Sequence, residues 1–118
     1  ARVLWDRSAE LRSAGDARGA LAALMQLIRS NPDNHDYLSR QAQLYHDLRE
    51  FKQEIAVWEL FMSVAPFPAE ACPDLANAYE GLGLPDKALQ SHQRCLSLDP
   101  SKPDLKFYLA RAYESATA

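Results

Sequence analysis

Two cysteines, three histidines and a scatter of carboxylates are the side chains here that could do chemistry. Cys72 and Cys95 are the only thiols, and a thiol nucleophile needs a base within hydrogen-bond reach. His92, three residues before Cys95, is the one sequence neighbour that could serve. It falls on an apolar stripe, however, so the favoured reading is two core thiols acting as small hydrophobes. A metal needs clustered ligands. His35 and His46 are 11 residues apart, which puts them on one helix side but about 16 Å apart along it. His92 is remote from both, and no metal site is expected. Gly81-Leu82-Gly83 has no strand before it and no Lys-Ser/Thr after it, so it reads as a helix stop rather than a phosphate loop. The acids form no catalytic pair. No catalytic residue and no cofactor are expected, and the chain is not read as an enzyme.

The elements that would position any site must be helices. The 118 residues include 19 Ala and 17 Leu, whereas Val, Ile and Thr together number only six. Such a chain builds little sheet. With 47% hydrophobic residues it is not disordered, and its length suits one domain. No apolar stretch approaches the length of a membrane span. The net charge of −3 argues against nucleic acid as a main partner, because phosphate binding needs a basic face. Charge is uneven: seven of the nine Arg lie within residues 1–50, while residues 51–118 carry the net negative charge. No signal segment is visible, and the compartment, cytoplasmic or periplasmic, is left open.

A period organises the whole sequence. Pro32, Pro66 and Pro100 are spaced by 34 residues. The same period aligns Leu11, Tyr45, Tyr79 and Tyr113, and the small residues Ser8, Ala42, Ala76 and Ala110. Ala20, Glu54 and Ala88 form a column with one departure; Leu21, Ile55 and Leu89 are all apolar, as are Ile28, Met62 and Leu96. Matched size and polarity in so many columns mean a repeat.

Each unit reads as a helix of about 12–14 residues, a tight turn and a second helix. In the last full unit Leu75, Ala76, Ala78, Tyr79 and Leu82 share a helix face. Gly81-Leu82-Gly83 then stops the helix, and Pro85 and Asp86 start another. Ala88, Leu89, His92, Cys95, Leu96 and Leu98 make its stripe. Neither helix can bury its stripe alone, so the pairs must stack. Cys72 and Cys95 stand at similar distances on either side of the turn, so a disulfide in an oxidising compartment is the alternative to free thiols.

These residues resemble the tetratricopeptide repeat. The motif is carried by DLANAYEGLGLPDKALQSHQRCLSLDP, from Leu75 through Pro100, and by GDARGALAALMQLIRSNP in the first unit. The middle unit carries it through Ala42, Tyr45, Phe51, Trp58 and Pro66. The resemblance implies an all-α, right-handed superhelical solenoid of antiparallel helix pairs in a single domain, 1–118. The units are 1–34, 35–68 and 69–102, with a capping or half-repeat helix over 103–118. Trp58 is expected to plug the interior of the middle unit. Leu11, Arg49 and Glu54 depart from the family pattern, which has Tyr, Gly and Ala there. Two readings of Glu54 follow: the favoured one has it reach the solvent edge or pair with a basic neighbour, and the other buries it against Tyr45 with a raised pKa.

In such folds the first helix of each pair lines a concave groove, which implies a non-catalytic module binding a peptide or helical segment of a partner protein. The alternative is a structural segment of a longer solenoid, with self-association through the terminal units as a further option. By resemblance the groove residues are Arg2, Trp5, Ala9 and Arg12, then Arg40, Gln43 and His46, then Asn77 and Glu80, and finally Phe107, Tyr108 and Arg111. Asp6, Asp36, Asp47, Glu70 and Asp74 share those faces. Some members clamp acidic C-terminal peptides of heat-shock proteins with Lys, Asn and Arg. The matching places here hold Trp5, Ala9, Arg40, Glu70 and Asp74, so no such clamp is expected. The early arginines and later acids suggest a ligand whose acidic end lies towards the first unit.

Overall fold

The computed structural model of the protein describes residues 2–99. Six α-helices run in sequence: α1 (Arg2–Ser13), α2 (Ala17–Ser30), α3 (His35–Asp47), α4 (Phe51–Val64), α5 (Cys72–Gly81) and α6 (Pro85–Leu98). No strand occurs among the described residues. The starts of α2, α4 and α6 fall at residues 17, 51 and 85, which restates the 34-residue period in three dimensions. Each helix packs on the one before it and the one after it, so the chain is a stacked solenoid of antiparallel pairs. The helix expected over 103–118 lies outside the described residues.

The turn inside each pair is built the same way three times. The N–H of Asp16 reaches back to the carbonyl of Leu11 at 2.8 Å, that of Glu50 to Tyr45 at 2.9 Å and that of Leu84 to Tyr79 at 2.9 Å. The preceding residue of each turn takes a left-handed conformation that closes the helix end. It is Gly15 at φ 84°, Arg49 at φ 58° and Gly83 at φ 75°. Arg49 therefore adopts the backbone that the pattern demands without being glycine, and its guanidinium lies over the Phe51 ring. Polar caps start two of the helices: the Asp16 carboxylate accepts from Gly19 N–H at 2.9 Å and the Asn34 side chain from Tyr37 N–H at 3.1 Å.

The third pair departs from the expected length. Its first helix has 10 residues, and a 3-10 turn over Pro68–Ala71 precedes it. Pro73, in the first turn of α5, has no N–H and a ring that excludes the carbonyl four residues earlier, so a continuous α-helix cannot run through it. Gly81 closes α5 where it meets α4: a Cβ there would come within 2.8 Å of the Phe51 ring.

Two apolar clusters fill the stack. One joins the first and second pairs through Ala20, Leu21, Leu24, Leu27 and Leu44, with Leu11 and Tyr45 packed against it. The other joins the second and third through Leu38, Ala42, Trp58, Phe61, Leu75 and Cys95, with Tyr79 against it. The Leu11–Tyr45–Tyr79 column therefore packs inward. Trp58 is 3% exposed, as a plug of the middle unit should be. Leu98, expected on the packing stripe of α6, is instead exposed.

The cysteines correct the favoured sequence reading. Cys72 and Cys95 are not free thiols; they form a disulfide with Cα atoms 6.1 Å apart, and both are fully buried. The antiparallel hairpin brings the start of α5 level with the third turn of α6, which is the alternative that residue counting from the turn had offered.

Candidate functional site

Glu54 combines parts of both sequence readings: it is buried with a raised pKa, and it pairs with a basic neighbour, His46. It does not reach the solvent edge: it is 1% exposed. Its column, Ala20–Glu54–Ala88, is buried at all three positions, so a carboxylate sits where its two equivalents are methyl groups. Its side-chain partners are Trp58 and His46 rather than Tyr45. Trp58 Nε1 donates to Oε2 at 3.0 Å, and His46 Nδ1 lies 3.0 Å from Oε1. Burial pushes the Glu54 carboxyl above the ordinary glutamate range, while the Trp58 and His46 contacts pull the other way.

Glu54 and Trp58 form the floor of a cavity of about 240 Å3. Its walls come from the first helix of all three pairs: Arg12 on α1, Gln43 and His46 on α3, and Asp74 on α5. Arg12 is held in place by its neighbours. It donates to Asp47 Oδ2 at 2.8 Å and to Gln43 Oε1 at 2.8 Å, which ties α1 to α3. Asp74 stands at the open side, facing His46. Crowding by the cavity walls raises its carboxyl above the aspartate range, and His46 opposes that shift.

A second cavity lies further along the same face. Arg2, Trp5, Asp6, Asn34, Asp36 and Tyr37 line it. Trp5 and Tyr37 stack with ring centroids 5.3 Å apart. The Arg40 guanidinium lies 3.3 Å from the centre of the Trp5 ring and donates to the Trp5 carbonyl and to Ser8 Oγ, each at 2.9 Å. Burial and the nearby Arg12 lower its pKa, yet it stays a cation at neutral pH. Arg2 pairs with Asp6 at 3.8 Å on the exposed surface. Arg40 is thus engaged by Trp5 and Ser8, whereas Arg2 is exposed beside Asp6.

Of the groove residues read from the sequence, Arg2 and Trp5 share one cavity and Arg12, Gln43 and His46 share the other. Arg40 joins Trp5 from α3. Ala9 is half-buried, and Asn77 and Glu80 are exposed on α5, outside both cavities. Phe107, Tyr108 and Arg111 lie outside the described residues. The floor residues Glu54 and Trp58 belong to a second helix and so escaped a rule that chose first helices only. Their signal was present as the single carboxylate in a column of alanines. Among the described residues no group of three or more His, Cys, Asp or Glu could hold a metal ion.

Stacked helix pairs with cavities opening on the face of the first helices define a helical-repeat solenoid. Comparison with known proteins makes the class specific: residues 69–102 match the tetratricopeptide repeat model. Residues 69–102 thus carry a tetratricopeptide repeat, and the described chain has the fold of tetratricopeptide-repeat domains. A crystal structure of MamA matches it with a TM-score of 0.81 at 23% identity, covering 98% of this chain and 63% of that one. The chain thus spans less than two thirds of that protein's length. The first such domain of Spaghetti (RPAP3), bound to the HSP90 peptide SRMEEVD, matches at 0.79 with 17% identity, over 98% of this chain and 94% of that one. The second domain of human RPAP3, in complex with the HSP70 peptide SGPTIEEVD, matches at 0.77 with 16% identity, over 93% and 92%. A search of curated proteins gave no significant match.

Proposed function

We propose that the chain is a non-catalytic protein–protein interaction module whose α1–α3–α5 face grips a peptide or helical segment of a partner. The observation that carries this reading is the cavity walled by Arg12, His46 and Asp74, one helix from each pair, because a single bound segment would touch all three repeats. The peptide complexes of the structurally similar RPAP3 domains support it. No helix among the described residues is long and apolar enough to cross a membrane. The acid-rich face disfavours nucleic acid.

A random peptide display selected against the purified chain tests the reading. Binders should lose affinity when exposed Asn77 or Glu80 of α5 is replaced by Trp, and keep it when Met25 of α2 is replaced by Glu. Peptides insensitive to every α1, α3 and α5 change would contradict it. The SRMEEVD peptide should not bind, since Arg40 is engaged with Trp5 and Ser8 and Glu70 and Asp74 repel carboxylates. Saturable binding of it, lost in Arg40→Ala, would overturn that expectation.

A second reading is a structural segment of a longer solenoid. The 63% coverage of MamA and the exposed apolar side chains of Val3, Phe67 and Leu98 favour it.

A further inference from the structure

We infer that the Arg12–Gln43–His46–Glu54–Trp58–Asp74 cavity receives a lysine or arginine side chain of the partner segment, so that the ligand of this face is basic rather than acidic. The inference rests on the interaction-module reading above and names the chemistry of its ligand.

The argument begins with what is already satisfied. Arg12, the cation of the cavity wall, is neutralised by Asp47 and braced by Gln43. It is not free to hold a ligand carboxylate without breaking the link between α1 and α3. Arg40 is stacked on Trp5 and hydrogen-bonded to Ser8. Arg2 has Asp6 beside it. Two acids of the same face, Asp36 and Asp74, are in the opposite condition. Asp36 has His35 beside it at 3.4 Å, and Asp74 has His46 facing it. Asp6 and Asp36 both line the outer cavity. Asp6 and Asp47 have Arg2 and Arg12 beside them, so the counter-charge a bound segment can supply is the one for Asp36 and Asp74.

The inner cavity has the shape for that counter-charge. Its floor is the Glu54 carboxylate, fixed by two ring nitrogens, Trp58 Nε1 and His46 Nδ1. Its mouth is Asp74. An aliphatic stem can lie along the half-exposed His46 ring while its charged head sits between the two carboxyls. Low dielectric strengthens the pairing of the head with Glu54. The raised carboxyls agree with this arrangement, because both are relieved when a cation enters. A metal ion is the competing occupant, and the donor set among the described residues does not provide for one. An acidic side chain would face Glu54 and Asp74 at close range and is rejected.

The test uses the 15N-labelled chain and three capped pentapeptides that differ only at the central residue: Ala-Ala-Lys-Ala-Ala, its norleucine analogue and its glutamate analogue. The readout is the indole N–H signal of Trp58 in a titration to millimolar peptide. The lysine peptide should shift it with half-saturation about tenfold below that of the norleucine peptide, the size of one charge-assisted hydrogen bond. The glutamate peptide should leave it unmoved. Asp74→Asn, at an exposed position, should bring the lysine titration to the norleucine level. Equal titrations by lysine and norleucine would overturn the cation site and leave the peptide-binding face standing. Shifts confined to the outer surfaces of α2, α4 and α6 would overturn both. No shift of the Trp58 signal with any peptide would overturn the cation site.

Discussion

Glu54 shows how one residue can trade stability for a site. A carboxyl raised by burial binds its proton more tightly in the fold than in the unfolded chain. Its contribution to stability is therefore full below the ordinary glutamate range and is lost as pH rises through the elevated folded value. Asp74, also raised, adds a slope of the same sign. Glu54→Gln should flatten this slope and cost less than about 1 kcal/mol near neutral pH, because the amide oxygen still accepts from Trp58. Urea midpoints of both proteins across the acid-to-neutral range check it; a steep loss confined to the variant at neutral pH would mean that the charged form is structural. Trp58 is the contrasting case. It fills the core between the second and third pairs, and Trp58→Ala should cost about 3–5 kcal/mol by the same measurement. A loss below about 1 kcal/mol would place the ring outside the core.

At the scale of the element, the period was legible in the sequence and the local chemistry was not. Glycine, proline and small residues recurring at 34 mark helix starts and turns, because those positions have steric requirements that few residue types meet. Arg49 occupies the same left-handed turn as Gly15 and Gly83, so the hydrogen-bonded helix end, not the residue, decides the backbone there. The shortening of α5 escaped the reading because one helix length of about 12–14 residues was expected for every unit, whereas Pro73 stands in the first turn of this helix and blocks its extension toward residue 69. The identity of the Glu54 partner escaped it because Tyr45 and His46 are adjacent in sequence and only their rotation about α3 decides which faces the carboxylate. The disulfide lies between these cases: equal distance from the turn brings the sulfurs level but does not choose between thiols and a bond. Cys72–Cys95 closes a loop across the third pair with a sequence separation of 23. Reduction should lower stability by about 3 kcal/mol, with amide exchange rising first in α5 and α6. Thiol titration of the denatured, unreduced protein should find neither sulfur free, and two free thiols would contradict the bond.

For the whole molecule, the second helix carries most of the core between the first two pairs, both helices share the core between the second and third, and the first helices wall the cavities. This division lets a stack of helix pairs present one continuous face without exposing its interior. The arginines of the first unit looked like ligand groups in the sequence, since nothing there showed Asp47, Gln43, Trp5 and Ser8 as their partners. The measurement that bears most directly on this arrangement is the backbone chemical-shift footprint of a display-selected peptide on the 15N-labelled chain. The largest changes should fall on α1, α3 and α5, around Gln43, His46 and Asp74. A footprint on the opposite surface, around Met25 and Leu60, would contradict the account.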